Sequence, residues 1–77
     1  MRQLILYSTA HCSLCEQALD LLLSLPDLAG TQLNVVDIAD DDELMAQYGE
    51  RIPVLRLDDR ELNAPFDGPM VARFIGR

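Results

Sequence analysis

The chain is 77 residues long, 49% of them hydrophobic, with 13 acidic residues against 6 basic ones and a formal charge of −7. That length suits a single domain spanning residues 1–77, with enough apolar material for a packed core without staples. A chain this acidic, with no lysine at all, offers favourable charge to neither nucleic acid nor an anionic membrane, and nothing in it approaches the roughly 20 apolar residues of a membrane span.

Met1-Arg2-Gln3 leads straight into a strand, so no signal peptide is expected and the cytoplasm is the expected compartment. The first strand reads Arg2-Gln3-Leu4-Ile5-Leu6-Tyr7, and its continuous Leu-Ile-Leu run suits a strand buried on both faces. A loop, Ser8-Thr9-Ala10-His11, then delivers Cys12. The helix that follows runs from about Cys12 or Ser13 to Leu25 and stops before Pro26. Leu14, Ala18, Leu21, Leu22 and Leu25 fall on one face, and Leu19 and Leu23 widen it, so this helix is expected to be well buried.

Cys12 and Cys15 are the two cysteines of the chain, and they stand where a strand gives way to a helix. Side chains at i and i+3 of a first helical turn are neighbours, close enough for a disulfide. The bridge would close too small a loop to serve as a staple, and a lasting structural disulfide would be unusual in the cytosol. The spacing therefore reads as redox chemistry. The Cys12 sulfur lies beside the unpaired amides and positive end of the helix, which favour a thiolate. Cys12 is accordingly the predicted attacking thiol and Cys15 the resolving one. A protonated His11 would add to the stabilisation, whereas a solvated loop histidine would not.

Asp27-Leu28-Ala29-Gly30 reads as a turn, and residues 31–38 as a second strand with Leu33, Val35 and Val36 as candidates for burial. The acidic run Asp40-Asp41-Asp42-Glu43 reads as a helix start, with Asp40 as cap and Glu43 completing a capping box, rather than as a metal site. That helix ends with Tyr48, a core or boundary residue, before Gly49. Val54, Leu55 and Leu57 mark a third strand, Asp58-Asp59 a tight turn and Arg60-Glu61-Leu62 a fourth strand. Pro53 cannot donate to a ladder; as an ordinary trans proline it would open an edge strand. A last helix runs from Phe66 or Asp67 to about Ile75, with Asp67 as a possible N-cap and Val71, Phe74 and Ile75 on its apolar side. The order β-α-β-α-β-β-α implies an α/β fold: a mixed four-stranded sheet flanked by three helices.

Cys12-Ser13-Leu14-Cys15 opening the first helix, Ile52-Pro53-Val54 opening the third strand and the order of elements together resemble the thioredoxin-like fold. Within it the short chain resembles glutaredoxins, and most of all small bacterial glutaredoxin-like proteins of undetermined function. The stretch His11-Cys12-Ser13-Leu14-Cys15-Glu16-Gln17-Ala18 carries that likeness. The resemblance implies a cis Ile52-Pro53 peptide whose backbone offers N–H and C=O groups to an extended thiol-bearing substrate. It also implies a substrate site at Ile52 and Pro53, with Asp67 as a contact for a glutathione amine. From their places in the chain, Tyr7 at the end of the first strand either lines the rim of that site or simply packs, and His11 beside Cys12 is a further candidate for it. Departures from the glutaredoxin pattern are plain. Ser13-Leu14 replaces Pro-Tyr between the cysteines, no lysine precedes Cys12, and Ala64-Pro65-Phe66-Asp67-Gly68 replaces a Gly-Gly turn.

The activity implied is thiol–disulfide exchange with a protein or small-molecule disulfide, by a monomer that requires no cofactor and takes glutathione as a possible reductant. Two rival readings stand beside it. In one, two chains share a zinc ion or iron–sulfur cluster through four cysteines, since one chain lacks the ligands for a closed site. In the other, the cysteines are inert and the scaffold only binds.

Overall fold

A computed structural model describes residues 3–76; Arg2, with which the predicted first strand begins, lies outside them. The elements are β1 (Gln3–Ser8), α1 (Ser13–Ser24), a single 3-10 turn (Pro26–Leu28), β2 (Gln32–Asp37), α2 (Asp42–Tyr48), β3 (Val54–Leu57), β4 (Arg60–Asn63) and α3 (Gly68–Phe74). The strands form one sheet in the order β2-β1-β3-β4. β1 and β2 run parallel, as a helical crossover requires, while β3 lies antiparallel to both β1 and β4. The mixed sheet with three α-helices is the arrangement expected from the sequence.

β1 occupies the interior of the sheet because both of its faces are apolar. Leu4 and Leu6 point to one side, where they join Leu55 and Leu57 of β3, Ala18 and Leu22 of α1, and Val71 and Ile75 of the α3 region in one core. Ile5 and Tyr7 point to the other side, towards a smaller core of Ile38, Tyr48 and Val54 at α2. Each fully buried leucine contributes about 1.5–3 kcal/mol relative to exposure. Helices therefore cover both faces, α1 and α3 one and α2 the other. Among the described residues no helix is long and apolar enough to cross a membrane.

Three expectations need correction. The buried stripe of α1 is Cys15, Ala18 and Leu22, whereas Leu14 and Leu23 are 61% and 70% exposed. The apolar arc is wider than the strip that the sheet covers, so its margins meet solvent. In β2, Leu33 and Val36 are partly buried but Val35 is exposed, because this strand is an edge; the fully buried residue is Ile38, one step beyond it. The cap of α2 is Asp41, not Asp40: its Oδ1 accepts from the amides of Glu43 at 3.0 Å and Leu44 at 3.1 Å. The turn expected at Asp27-Leu28-Ala29-Gly30 is present, and Pro26, set for the first helical position, opens it with a 3-10 turn over Pro26–Leu28.

The β3–β4 hairpin turns at Asp58-Asp59 as expected. Asp58 adopts a left-handed φ of 56°, and its carbonyl accepts from Arg56 Nε at 2.8 Å. Asp67 is the N-cap of α3, and its Oδ1 accepts from the Met70 amide at 2.9 Å.

Candidate active site

Cys12 and Cys15 are joined in a disulfide with their Cα atoms 5.2 Å apart. The local chain explains the approach. His11, at a φ of 60°, turns the backbone out of the loop after β1, and Cys12 takes the extended N-cap conformation of α1. The Cys12 sulfur, where helices usually place a hydroxyl or carboxylate, accepts from the Cys15 amide at 3.2 Å. A donor at that place favours negative charge on the sulfur. The two cysteines differ in access: Cys12 is partly exposed, whereas Cys15 is 2% exposed on the buried face of α1. An incoming reagent therefore meets Cys12.

An open groove of about 630 Å³ lies along α1 and reaches Leu14, the residue before Cys15, without either cysteine on its lining. Its lining includes Leu14, Gln17 and Leu21 of α1, Ile52 and Pro53 ahead of β3, and residues 64–66 after β4. The Ile52-Pro53 peptide is cis, as the sequence resemblance implies, and so is Ala64-Pro65, which the sequence reading did not anticipate. The two prolyl segments are tied together, for the Ala64 amide donates to the Pro53 carbonyl at 3.3 Å. The Ile52 amide is already used within the fold, contrary to expectation: it donates to the Tyr48 carbonyl at 3.1 Å.

At the groove, a set of polar side chains ties Arg51 to α2 and β4. Arg51 donates through Nη1 to Glu61 Oε1 at 3.3 Å and to Asn63 Oδ1 at 3.1 Å, and through Nε and Nη2 to the Gln47 carbonyl at 3.2 Å. Its guanidinium also lies 4.9 Å from the centre of the Tyr48 ring. Tyr48 in turn donates to Glu61 Oε2 at 2.6 Å. That bond, followed by Arg51, holds the Glu61 carboxyl below its usual range. Burial first, and then Glu61, push the Tyr48 phenol up to about 12.

The remaining sequence candidates stand apart from the groove walls. Tyr7 is 5% exposed and stacks on Tyr48, with ring centres 4.2 Å apart and planes 16° from parallel; its hydroxyl accepts from Arg56 Nη1 at 3.3 Å. His11 is exposed in the loop before Cys12, and Asp67 caps α3. Sequence reasoning missed Leu14 as a surface residue, and it missed Arg51, Asn63 and Phe66 altogether. Leu14 had a signal, its place between the cysteines; the others come together only through the hairpin and carry none. Among the described residues, no group of three or more His, Cys, Asp or Glu side chains is arranged to hold a metal ion.

Comparison with known proteins agrees with this geometry. The family described as glutaredoxin-like domain (DUF836) matches residues 3–76. The crystal structure of protein XcR50 from X. campestris is similar at 38% identity and a TM-score of 0.81, over 94% of this chain and 93% of that one. The solution structure of protein Ne2328 from Nitrosomonas europaea is similar at 29% identity and a TM-score of 0.78, over 95% and 89% of the two chains. No curated protein matches.

Proposed function

The chain belongs to the glutaredoxin-like domain family, with a thioredoxin-like fold, and on that premise we propose that it is a thiol–disulfide oxidoreductase working through Cys12 and Cys15. The observation that carries the reading is the bridge itself: two sulfurs close enough to pair, one accessible and one buried, at the start of a helix.

In the reduced protein, Cys12 thiolate attacks one sulfur of a substrate disulfide. A Cys12–substrate bond forms, the substrate disulfide breaks, and the departing sulfur leaves as a thiolate that takes a proton. Cys15 then gives up its proton and attacks Cys12, forming the intramolecular bridge and releasing the second substrate thiol. The substrate gains two electrons and two protons, and the protein dithiol supplies them. Two external thiols, glutathione among the candidates, return the bridge to the dithiol by the same exchange in reverse. Buried Cys15 suits the resolving role because its target is the neighbouring sulfur, not an outside molecule. Exchange of this kind fits a monomer in the cytoplasm, where disulfides are transient.

Cys12→Ser is expected to abolish disulfide reduction in a turnover assay, while Cys15→Ser stops after one mixed disulfide on Cys12. Undiminished turnover by Cys12→Ser would remove Cys12 from the mechanism.

A further inference from the structure

Resting on the dithiol reading above, we propose that the protein selects disulfides carried by cationic molecules, through a negative field concentrated at the end of the sheet where Cys12 stands. The topology sorts the charges. β1 and β2 are parallel and paired from Gln3↔Gln32 to Ser8↔Asp37, so both finish at the end from which the chain runs on to Cys12. The Ile38 amide donates to the Ser8 carbonyl at 3.0 Å and keeps the β2–α2 connection there. The exposed acidic run 40–43 therefore lies at that end, with Asp37 before it. β3 opens and β4 closes at the same end, because Val54 pairs with both Tyr7 and Asn63, and this brings in exposed Glu50 and Asp67. Glu16 belongs there too, since its amide donates to the Cys12 carbonyl at 3.0 Å.

Among the described residues, the arginines are committed or placed elsewhere. Arg51 is the arginine of this end, and it is paired with Glu61 at 3.3 Å. Arg56 sits midway along the sheet, opposite Ile5. Arg60 follows the Asp58-Asp59 turn at the far end. Its guanidinium lies 5.1 Å from the centre of the Phe74 ring, which brings the last turn of α3, with Arg73, to the same place. The strands between the two ends span roughly 20 Å, about twice the Debye length at 0.1 M salt, so the far arginines are screened from Cys12. The helices that start at the acidic end offset little, for each N-terminus supplies only about half a positive charge. His11, exposed before Cys12, adds at most one charge against the whole acidic set. No single carboxylate holds the substrate; their sum raises the local concentration of cations at the sulfur and lowers that of anions.

The test uses the reduced Cys15→Ser protein, in which Cys12 thiolate attacks a symmetrical disulfide, forms one mixed disulfide and expels one thiolate. The probes are cystamine, a dication; bis(2-hydroxyethyl) disulfide, uncharged; and 3,3′-dithiodipropionate, a dianion. Each rate of mixed-disulfide formation, followed by mass spectrometry, is divided by that probe's rate with 2-mercaptoethanol to remove intrinsic reactivity. At about 0.1 M salt cystamine is expected to lead dithiodipropionate by at least about tenfold, with the neutral probe between them. At about 1 M salt the lead is expected to shrink to about twofold. Glu16→Gln, Asp40→Asn and Glu50→Gln combined are expected to cut the lead at 0.1 M to about threefold or less. Asp27→Asn, Asp58→Asn and Asp59→Asn combined remove the same charge from the far end and are expected to leave the lead unchanged. Asparagine tolerates the left-handed φ of 56° at position 58, and the caps of the helices are untouched by either set. Equal normalised rates, a faster dianion, a lead that survives 1 M salt or the first set, or equal losses from both sets would overturn the field assignment and leave the redox reading standing. Failure of all three probes to modify Cys12 would overturn the redox reading and this inference with it.

Discussion

The phenol of Tyr48 donates a 2.6 Å hydrogen bond to Glu61 Oε2, joining the end of α2 to β4. Arg51 adds a second link to the same carboxylate from the segment that leads into Ile52-Pro53. One carboxylate on an edge strand thus holds both the end of a helix and the wall of the groove. The candidate site rests on long-range contacts as well as on the two cysteines.

Glu61→Gln tests the brace through pH. The native carboxyl is held below the ordinary value of 4.5, chiefly by the Tyr48 hydrogen bond, so the folded state binds its proton less readily than the unfolded state. Its stabilisation is present above 4.5 and is lost as pH falls through the lower native value. Urea unfolding is expected to show the wild type more stable than Glu61→Gln by about 1 kcal/mol at neutral pH, a modest figure because the pair is partly solvated. The gap should close in acid. A gap independent of pH would mean that ionisation of Glu61 does not matter.

Tyr48 gives the opposite limb. Its pKa is raised from 10.0 to about 12, with burial as the main cause, so the native state keeps a proton that the unfolded chain releases. The corresponding stability is complete below pH 10 and is lost as pH rises towards 12. Subtracting the tyrosinate absorbance titration of Tyr48→Phe from that of the wild type isolates this phenol. The difference curve should have its midpoint near 12, and a midpoint near 10 would contradict the burial and bonding described for it.

The α2 cap separates two neighbouring aspartates. Asp41→Ala removes an acceptor of two amides and is expected to lower stability by about 1 kcal/mol. Asp40→Ala, at an exposed position, should stay within about 0.5 kcal/mol of the wild type. Equal losses from the two changes would put the cap in the wrong place.

A similar pair tests the face of α1. Leu22 is 1% exposed within the larger core and Leu23 is 70% exposed. Leu22→Ala should cost roughly 2–5 kcal/mol in thermal or denaturant unfolding, and Leu23→Ala less than about 0.5 kcal/mol. Comparable costs would show that the helix is rotated from the described orientation.

These cases also mark how far the sequence alone reaches. The Leu-Ile-Leu run of β1, the break at Pro26 and the hairpin at Asp58-Asp59 are local signals, and each produced its element. The cysteine pair was legible because spacing on a helix is a local property. Leu14 and Leu23 were not, since periodicity gives the direction of an apolar arc but not the width of the surface that covers it. Val35 was misplaced for a related reason: β-branched residues mark a strand, and only the sheet order makes that strand an edge. Asp40 and Asp41 compete for one cap within a run of four acids, and sequence does not choose between adjacent registers. The Tyr48–Glu61–Arg51 brace was invisible, because its partners meet only after α2 and the hairpin have packed on the sheet.

The measurement closest to the central claim is a thiol-trapping titration of the wild-type protein across graded thiol–disulfide buffers, read by mass spectrometry. The account predicts a reversible two-proton mass difference confined to Cys12 and Cys15, with the bridged fraction following a two-electron slope of about 30 mV per tenfold change in ratio. A protein that keeps two free thiols at every poise, or one whose bridge never opens under reducing conditions, would contradict it.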